Sequence, residues 1–233
     1  MPKTNSRKKI YTLTAVACIL FSLLFSIHFW CFNEPFYKSE HDKIRLYGKS
    51  IADHIGISDE QLKELTSFTL DYLNDPKASL DLQMEVKGQI REVFTDDEKA
   101  HMVDVRRLNL IANGLLIMSG IITFVGIGYS LYRKEMHILK SSYRKALISA
   151  MFVITVLGIW ILIDFDSFWT MFHHVFFPGN DLWILDLRKD ILIMIVPPEF
   201  FNHLVIRITL SAVFFLFFFY CLFSLLSRKK GST

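Results

Sequence analysis

The chain has 233 residues, 52% of them hydrophobic and 15% aromatic, with 22 Phe and a formal net charge of +3. Its 10 Gly and 6 Pro exclude collagen-like and low-complexity classes, and so small a charge spread along the chain is no footprint for nucleic acid. The apolar residues gather in four blocks of about 20, the length that crosses a bilayer, which excludes an ordinary soluble domain and predicts a polytopic membrane protein. Cys18, Cys31 and Cys221 all fall in apolar blocks, an odd number without metal-ligand spacing, and read as packing thiols.

The N-terminal stretch, 1–9, is basic, with Lys3, Arg7, Lys8 and Lys9 ahead of the first apolar block, 10–32. A secretory signal would have a shorter apolar core and a small-residue cleavage site. This block instead ends in Phe29, Trp30 and Phe32, an aromatic belt, so an uncleaved span is expected.

Residues 33–107 are too charged to span and too amphipathic to be a linker. Ser58-Asp59-Glu60-Gln61 is a capping box, followed by Leu62, Leu65, Phe68, Leu70 and Leu73 at helical spacing, and Asn74-Asp75-Pro76 stops that helix. A second capping box, Thr95-Asp96-Asp97-Glu98, opens a helix expected to run through His101 and Val105 into the second span, 108–132. A small helical cap is the expectation for the whole stretch.

The link 133–145 carries Arg133, Lys134, Lys140, Arg144 and Lys145 against Glu135 alone, and the third span follows at 146–163. The fourth, 203–226, is followed by Arg228, Lys229 and Lys230 in the tail 227–233. The excess of Lys and Arg predicts that both termini and the middle link are cytoplasmic, leaving 33–107 and 164–202 outside. The expected fold class is therefore an all-α membrane protein of four transmembrane helices, with a helical extracellular cap and a second outer segment that is re-entrant or interfacial.

Chemistry-bearing residues concentrate in the two outer segments. His101 lies three residues before Asp104, three after Glu98 and four after Asp97, spacings that share one helical face. A carboxylate there could fix one imidazole tautomer and raise its basicity; the bland alternative is a surface histidine in an ion-pair patch. The second segment mixes bulky aromatics with His173, His174, Asn180, Asp186, Asp190 and Glu199. Interfacial anchoring accounts for part of the aromatic content, but polar groups at membrane depth need a cavity or a wet lining. Arg207, about one turn inside span four, either snorkels outward or meets an anion in the bundle. His173 and His174 cannot both enter one site from a regular element, because neighbours diverge by about 100° on a helix. Paired histidines with carboxylates suit general acid–base chemistry on a lipid-linked substrate, and no HxxxH or HExxH spacing supports a metal.

Two motifs carry a resemblance. Phe172-His173-His174-Val175-Phe176-Phe177, continuing through Asn180, Trp183 and Asp186 to Pro198-Glu199-Phe200-Phe201, together with His101-Met102-Val103-Asp104-Val105-Arg106, resembles the lipoprotein intramolecular transacylase family, Lit, of Gram-positive bacteria. The resemblance extends over essentially the whole chain; the Pro197-Pro198 doublet and the spacing at Gly179 depart from the family pattern, and His174 occupies a variable position in it.

The resemblance implies a catalytic pair, His101 and His173, with Asp104, Asn180, Asp186, Glu199 and Arg207 as supporting or substrate-binding residues. It implies transfer of the sn-2 acyl chain of an S-diacylglyceryl cysteine to the cysteine's own α-amine. The product is a lyso-form lipoprotein with weaker innate immune recognition, and the family is also linked to copper tolerance. Donor and acceptor share one molecule, and ester-to-amide exchange is downhill, so no cofactor is expected. Diacylated lipoproteins and membrane lipids are the expected partners, in a bacterial cell membrane; oligomeric state is not legible. His101, with carboxylates beside it, is the favoured base. Two other readings remain open: an outer-leaflet lipid or lipoprotein acyl hydrolase, which would release fatty acid, and a non-enzymatic membrane sensor, which would carry a cytoplasmic output domain.

Overall fold

The computed structural model describes residues 2–228, with side chains from Arg7 onward; Lys229 and Lys230 lie outside the described residues, as does the side chain of Lys3. The elements run α1 (Pro2–Cys31), α2 (Glu34–Lys43), α3 (Ile51–Ile55), α4 (Asp59–Asn74), β1 (Gln83–Val86) and β2 (Gln89–Glu92). They continue with α5 (Asp96–Tyr132), α6 (Met136–Ile163), α7 (Phe165–Phe176), α8 (Ile191–Ile195) and α9 (Pro198–Arg228). Four of these, α1, α5, α6 and α9, are long and apolar enough to cross a membrane, so the all-α four-helix class stands.

Contacts divide the chain into two units. The apolar unit takes residues up to 29, 112–164 and those from 206. Its core interleaves Tyr11, Ala15 and Cys18 of α1 with Leu139 and Tyr143 of α6 and Leu216, Phe219 and Phe223 of α9. α1 approaches α5 so closely that a Cβ on Gly126 would lie 2.1 Å from Thr14 Oγ1, so only glycine fits there. Several polar groups inside this unit are paired: Tyr143 donates to the Leu216 carbonyl at 2.8 Å, and Arg7 and Tyr11 both donate to Glu135 at 2.6 Å. Large side chains such as Ile148, Phe152 and Leu162 of α6 are exposed, which water penalises and a hydrocarbon solvent does not. α6 begins at Met136, earlier than the apolarity alone suggested, because Met136, Leu139, Tyr143 and Leu147 form one buried face at helical spacing.

The polar unit takes residues 30–111 and 165–205. Its elements start where their capping residues dictate. Asn33 accepts from the Phe36 N–H at 2.9 Å, Ser50 from the Asp53 N–H at 3.1 Å, and Ser58 and Gln61 form the expected reciprocal box. α4 stops at Asn74 and buries Leu62, Leu65, Leu70 and Tyr72. The hairpin β1–β2 was not anticipated: Val86 pairs with Gln89 across a two-residue turn in which Lys87 and Gly88 both have positive φ. The Lys87 N–H then donates to the Gly56 carbonyl at 2.9 Å. Gly56 itself has φ +87°, and a Cβ there would meet the Lys87 side chain at 2.4 Å.

α5 has 37 residues, about 55 Å of helix against a hydrocarbon core of about 30 Å. Its first turns are polar and belong to the polar unit, and its apolar stretch starts near residue 108. Glu98, fully buried, anchors its start: one carboxylate oxygen accepts the Thr95 N–H at 2.6 Å and the other the Leu192 N–H at 2.7 Å. α2 is tied down in the same way. The His203 Nδ1–H donates to buried Glu40 at 2.5 Å, and His41 Nε2–H to the Ile195 carbonyl at 2.9 Å. These polar contacts join the two sequence-distant halves of the unit.

Candidate active site

α5 and α7 each deliver one histidine. His101 follows Glu98 by three residues, so the anchored first turn of α5 sets its position. His173 lies on the buried side of α7, one turn after Trp169, while Met171 and Val175 on the opposite side are exposed. The imidazole centroids are 6.1 Å apart, and the side chains are buried, with 8% and 5% exposure. Aromatic rings enclose them. Trp183 stacks on His173 at 4.6 Å, Trp169 meets it edge-on at 4.6 Å, and Phe177 packs 5.2 Å from His101.

The pair lines a mainly apolar cavity of about 200 Å³, with Tyr37, Thr66, Thr69, Met102, Trp169, Trp183 and Phe201 among its walls. Among the described residues, α2, α4 and α8 line the cavity beside α5, α7 and α9. The aromatic box covers both histidines, so neither lies at an open aqueous boundary.

Burial decides their protonation. His101 is pushed down to about 4 by desolvation, reinforced by the neighbouring His173 and only partly opposed by Asp104. His173 is also lowered, by desolvation first, with the Trp169 carbonyl opposing and His174 adding a little. Both imidazoles are therefore neutral near pH 7. The expectation that carboxylates raise the basicity of His101 holds in direction for Asp104 alone, and desolvation outweighs it. Asp104 accepts from Asn180 Nδ2 at 3.2 Å, both oxygens of Glu98 bind backbone N–H groups, and Asp97 is exposed. Glu98 is itself raised by burial, against the pull of its N–H partners.

The two histidines differ in one decisive respect. A backbone carbonyl can only accept, so the 2.8 Å contact of His173 with the Trp169 carbonyl fixes the proton on Nδ1 and leaves a lone pair on Nε2. His101 Nδ1 is buried without a hydrogen-bond partner among the described residues, as is Trp183 Nε1.

Of the remaining candidates, Asp104 and Asn180 are brought beside the pair through their mutual hydrogen bond. Asp186 is not a cavity residue; Arg188 grips it on the surface at 2.9 Å and holds its carboxyl at about 2. Glu199 is exposed in the first turn of α9, and Arg207 belongs to the apolar unit; neither lines the cavity. His174 points away and is exposed, its ring edge-on to Trp183 at 5.5 Å. The sequence did not single out Trp169 and Trp183 as site residues; the only signal was a tryptophan four residues before a histidine, on the same helical face. Among the described residues, no three His, Cys, Asp or Glu side chains converge as a metal ion would require.

Fold and site together define a multi-pass membrane protein that holds two neutral histidines in an apolar pocket, an arrangement for proton transfer. The profile of the lipoprotein intramolecular transacylase family, Lit, matches residues 12–201, and the chain belongs to that family of membrane acyltransferases. The membrane-integral Lit of Bacillus cereus has the same fold, with a TM-score of 0.80 at 22% identity, covering 98% of this chain and all of that one. Two variants of that protein, each with one histidine replaced, by alanine or arginine, superpose with TM-scores of 0.75 and 0.71 at 21% identity. They cover 99% and 97% of this chain, and 98% and 95% of their own. Comparison with curated proteins gives no match.

Proposed function

We propose that this protein moves the sn-2 O-acyl chain of an S-diacylglyceryl cysteine, at the N-terminus of a bacterial lipoprotein, to that cysteine's own α-amine. The observation that carries this reading is the neutral imidazole pair, 6.1 Å apart, in a cavity whose lining is mostly apolar. An α-amine titrates at about 7.7–8.0, so near neutrality it must lose a proton to become a nucleophile.

That proton goes to solvent; as the free amine's nitrogen then bonds to the ester carbon, the lone pair on His173 Nε2 takes one of its two remaining protons, and the carbonyl π pair moves onto oxygen. Collapse of the adduct breaks the bond to the glycerol oxygen, which receives the proton from the His173 imidazolium. Counted from the free amine, one ester is consumed and one amide formed, with no net proton or water. His101, the weaker base, supplies an N–H to the departing oxygen. This assignment exchanges the roles suggested by the carboxylates around His101 in the sequence. The cyclic geometry has about eight atoms, and holding the substrate in it is the main task of the pocket. The apolar walls keep water from competing with the amine.

We also propose that both termini and the α5–α6 turn are cytoplasmic and that the polar unit faces outside. The Lys and Arg distribution favours this, and the Arg7–Glu135 ion pair sets the start of α1 beside the α5–α6 turn, as two groups on one side of a membrane would be.

Mass spectrometry of the N-terminal lipopeptide of one lipoprotein, from cells with and without the protein, tests the reaction. Equal total mass with one chain moved from oxygen to nitrogen is the expected result. Loss of one acyl mass would establish hydrolysis instead.

A further inference from the structure

We propose that the indole N–H of Trp183 is a catalytic hydrogen-bond donor, holding the ester carbonyl oxygen as it becomes an oxyanion. This deepens the transacylase reading and rests on it.

Trp183 Nε1 is buried, has no hydrogen-bond partner among the described residues, and belongs to a side chain that lines the cavity. A buried tryptophan N–H is ordinarily satisfied, and leaving one open in a folded protein is unfavourable. Groups left so are found where a ligand supplies the missing partner, and an indole N–H can only donate. Its complement is therefore an acceptor. The substrate's acceptor whose charge grows during reaction is the carbonyl oxygen of the transferred chain.

The position fits that role. Trp183 stacks on His173, the proposed base, with ring centroids 4.6 Å apart and planes 24° from parallel. A carbonyl held by Trp183 Nε1 is thus next to the imidazole that deprotonates the attacking amine. The ring is also pre-set. Asn180 donates to Asp104 at 3.2 Å, tying the loop to α5 close to His101, and its Oδ1 accepts from the Leu182 N–H at 3.2 Å. His174 closes the second side of the indole, edge-on at 5.5 Å. Asp104 and Asn180 are on this account positioning residues: they aim the tryptophan. The donor needs no reorganisation when charge appears, the condition under which such a bond favours the transition state over the ground state.

Two replacements separate donor from packing. Trp183→Phe keeps an aromatic ring; 3-benzothienylalanine at position 183, introduced by codon suppression, keeps the full indole shape and exchanges only N–H for sulfur. Each protein is purified in detergent and given a synthetic diacylglyceryl lipopeptide. Its O-to-N conversion is followed by mass spectrometry alongside its melting temperature. The benzothienyl protein is expected to melt as the wild type does and to lose about 10²–10³-fold in kcat with KM little changed, the loss typical for one oxyanion donor. Trp183→Phe should be at least as slow. Conversion by the benzothienyl protein within about twofold of wild type would overturn the donor role, even if Trp183→Phe were slow or unfolded. Absence of any O-to-N product from the wild type would overturn the transacylase reading, and the donor with it.

Discussion

Two histidines with 8% and 5% exposure are costly to charge at equilibrium, and that links protonation to stability at the scale of single residues. His101 titrates near 4 when folded and near 6.5 when unfolded, so between those values the unfolded chain binds the extra proton. Stability is thus fully present above about pH 6.5 and declines as pH falls towards 4, by up to about 3 kcal/mol for a shift of this size. Melting in detergent at pH 7.5 and 4.5 should show this decline in the wild type and a shallower one in His101→Phe; equal slopes would contradict the burial argument. Activity should follow a different group. His173 stays neutral below the ordinary histidine range, so the acid limb of kcat/KM should lie at the substrate amine, about 7.7–8.0, and not at 6.5. His174→Ala should cost less than about tenfold in rate, since the exposed ring only buttresses Trp183. The sequence made the histidines visible by type. It could not show that Asp104 is engaged by Asn180, because that depends on how a distant loop packs, and so it favoured His101 as the base where the present proposal takes His173.

At the scale of elements, what was legible was local. Both capping boxes, the stop at Asn74 and the continuous α5 depend on residues a few positions apart, and they appear as expected. The hairpin did not announce itself, because Lys87-Gly88 is a weaker turn signal than Asn-Gly and β2 is exposed throughout, without the alternation that marks a half-buried strand. The second partner of Glu98, the Leu192 N–H, was also invisible, though it locks the starts of α5 and α8 together. Glu98→Gln places an NH₂ group against a backbone N–H donor in a buried site. A loss of about 1–3 kcal/mol is expected, with a melting temperature lower by several degrees and faster amide exchange at Leu192. Unchanged exchange at Leu192 would show that the latch does not hold α8.

At the scale of the whole molecule, apolar run length was enough to identify four spanning helices, because a bilayer imposes one length on all of them. The two-unit division was only partly legible. Polar composition marked residues 33–107 and 164–202, but nothing in composition shows that these stretches build one cavity. Cysteines introduced at Lys87 or Asp186 should be labelled from outside intact cells, and one at Ser141 only after permeabilisation; labelling of Ser141 from outside would invert the topology. Both histidines are buried among rings, so their removal must be read against folding. His173→Ala should lower stability by about 2–3 kcal/mol through lost packing and one hydrogen bond, whereas His173→Phe keeps the ring. The most direct test is single-turnover conversion of a diacylglyceryl lipopeptide by purified wild type, His101→Ala, His173→Ala and His173→Phe, each shown to be folded by its melting transition. Loss of O-to-N transfer by at least about 10²-fold in every variant, with transfer intact in the wild type, is the expected result. A folded His173→Phe protein that transfers the chain at near wild-type rate would contradict the two-histidine mechanism.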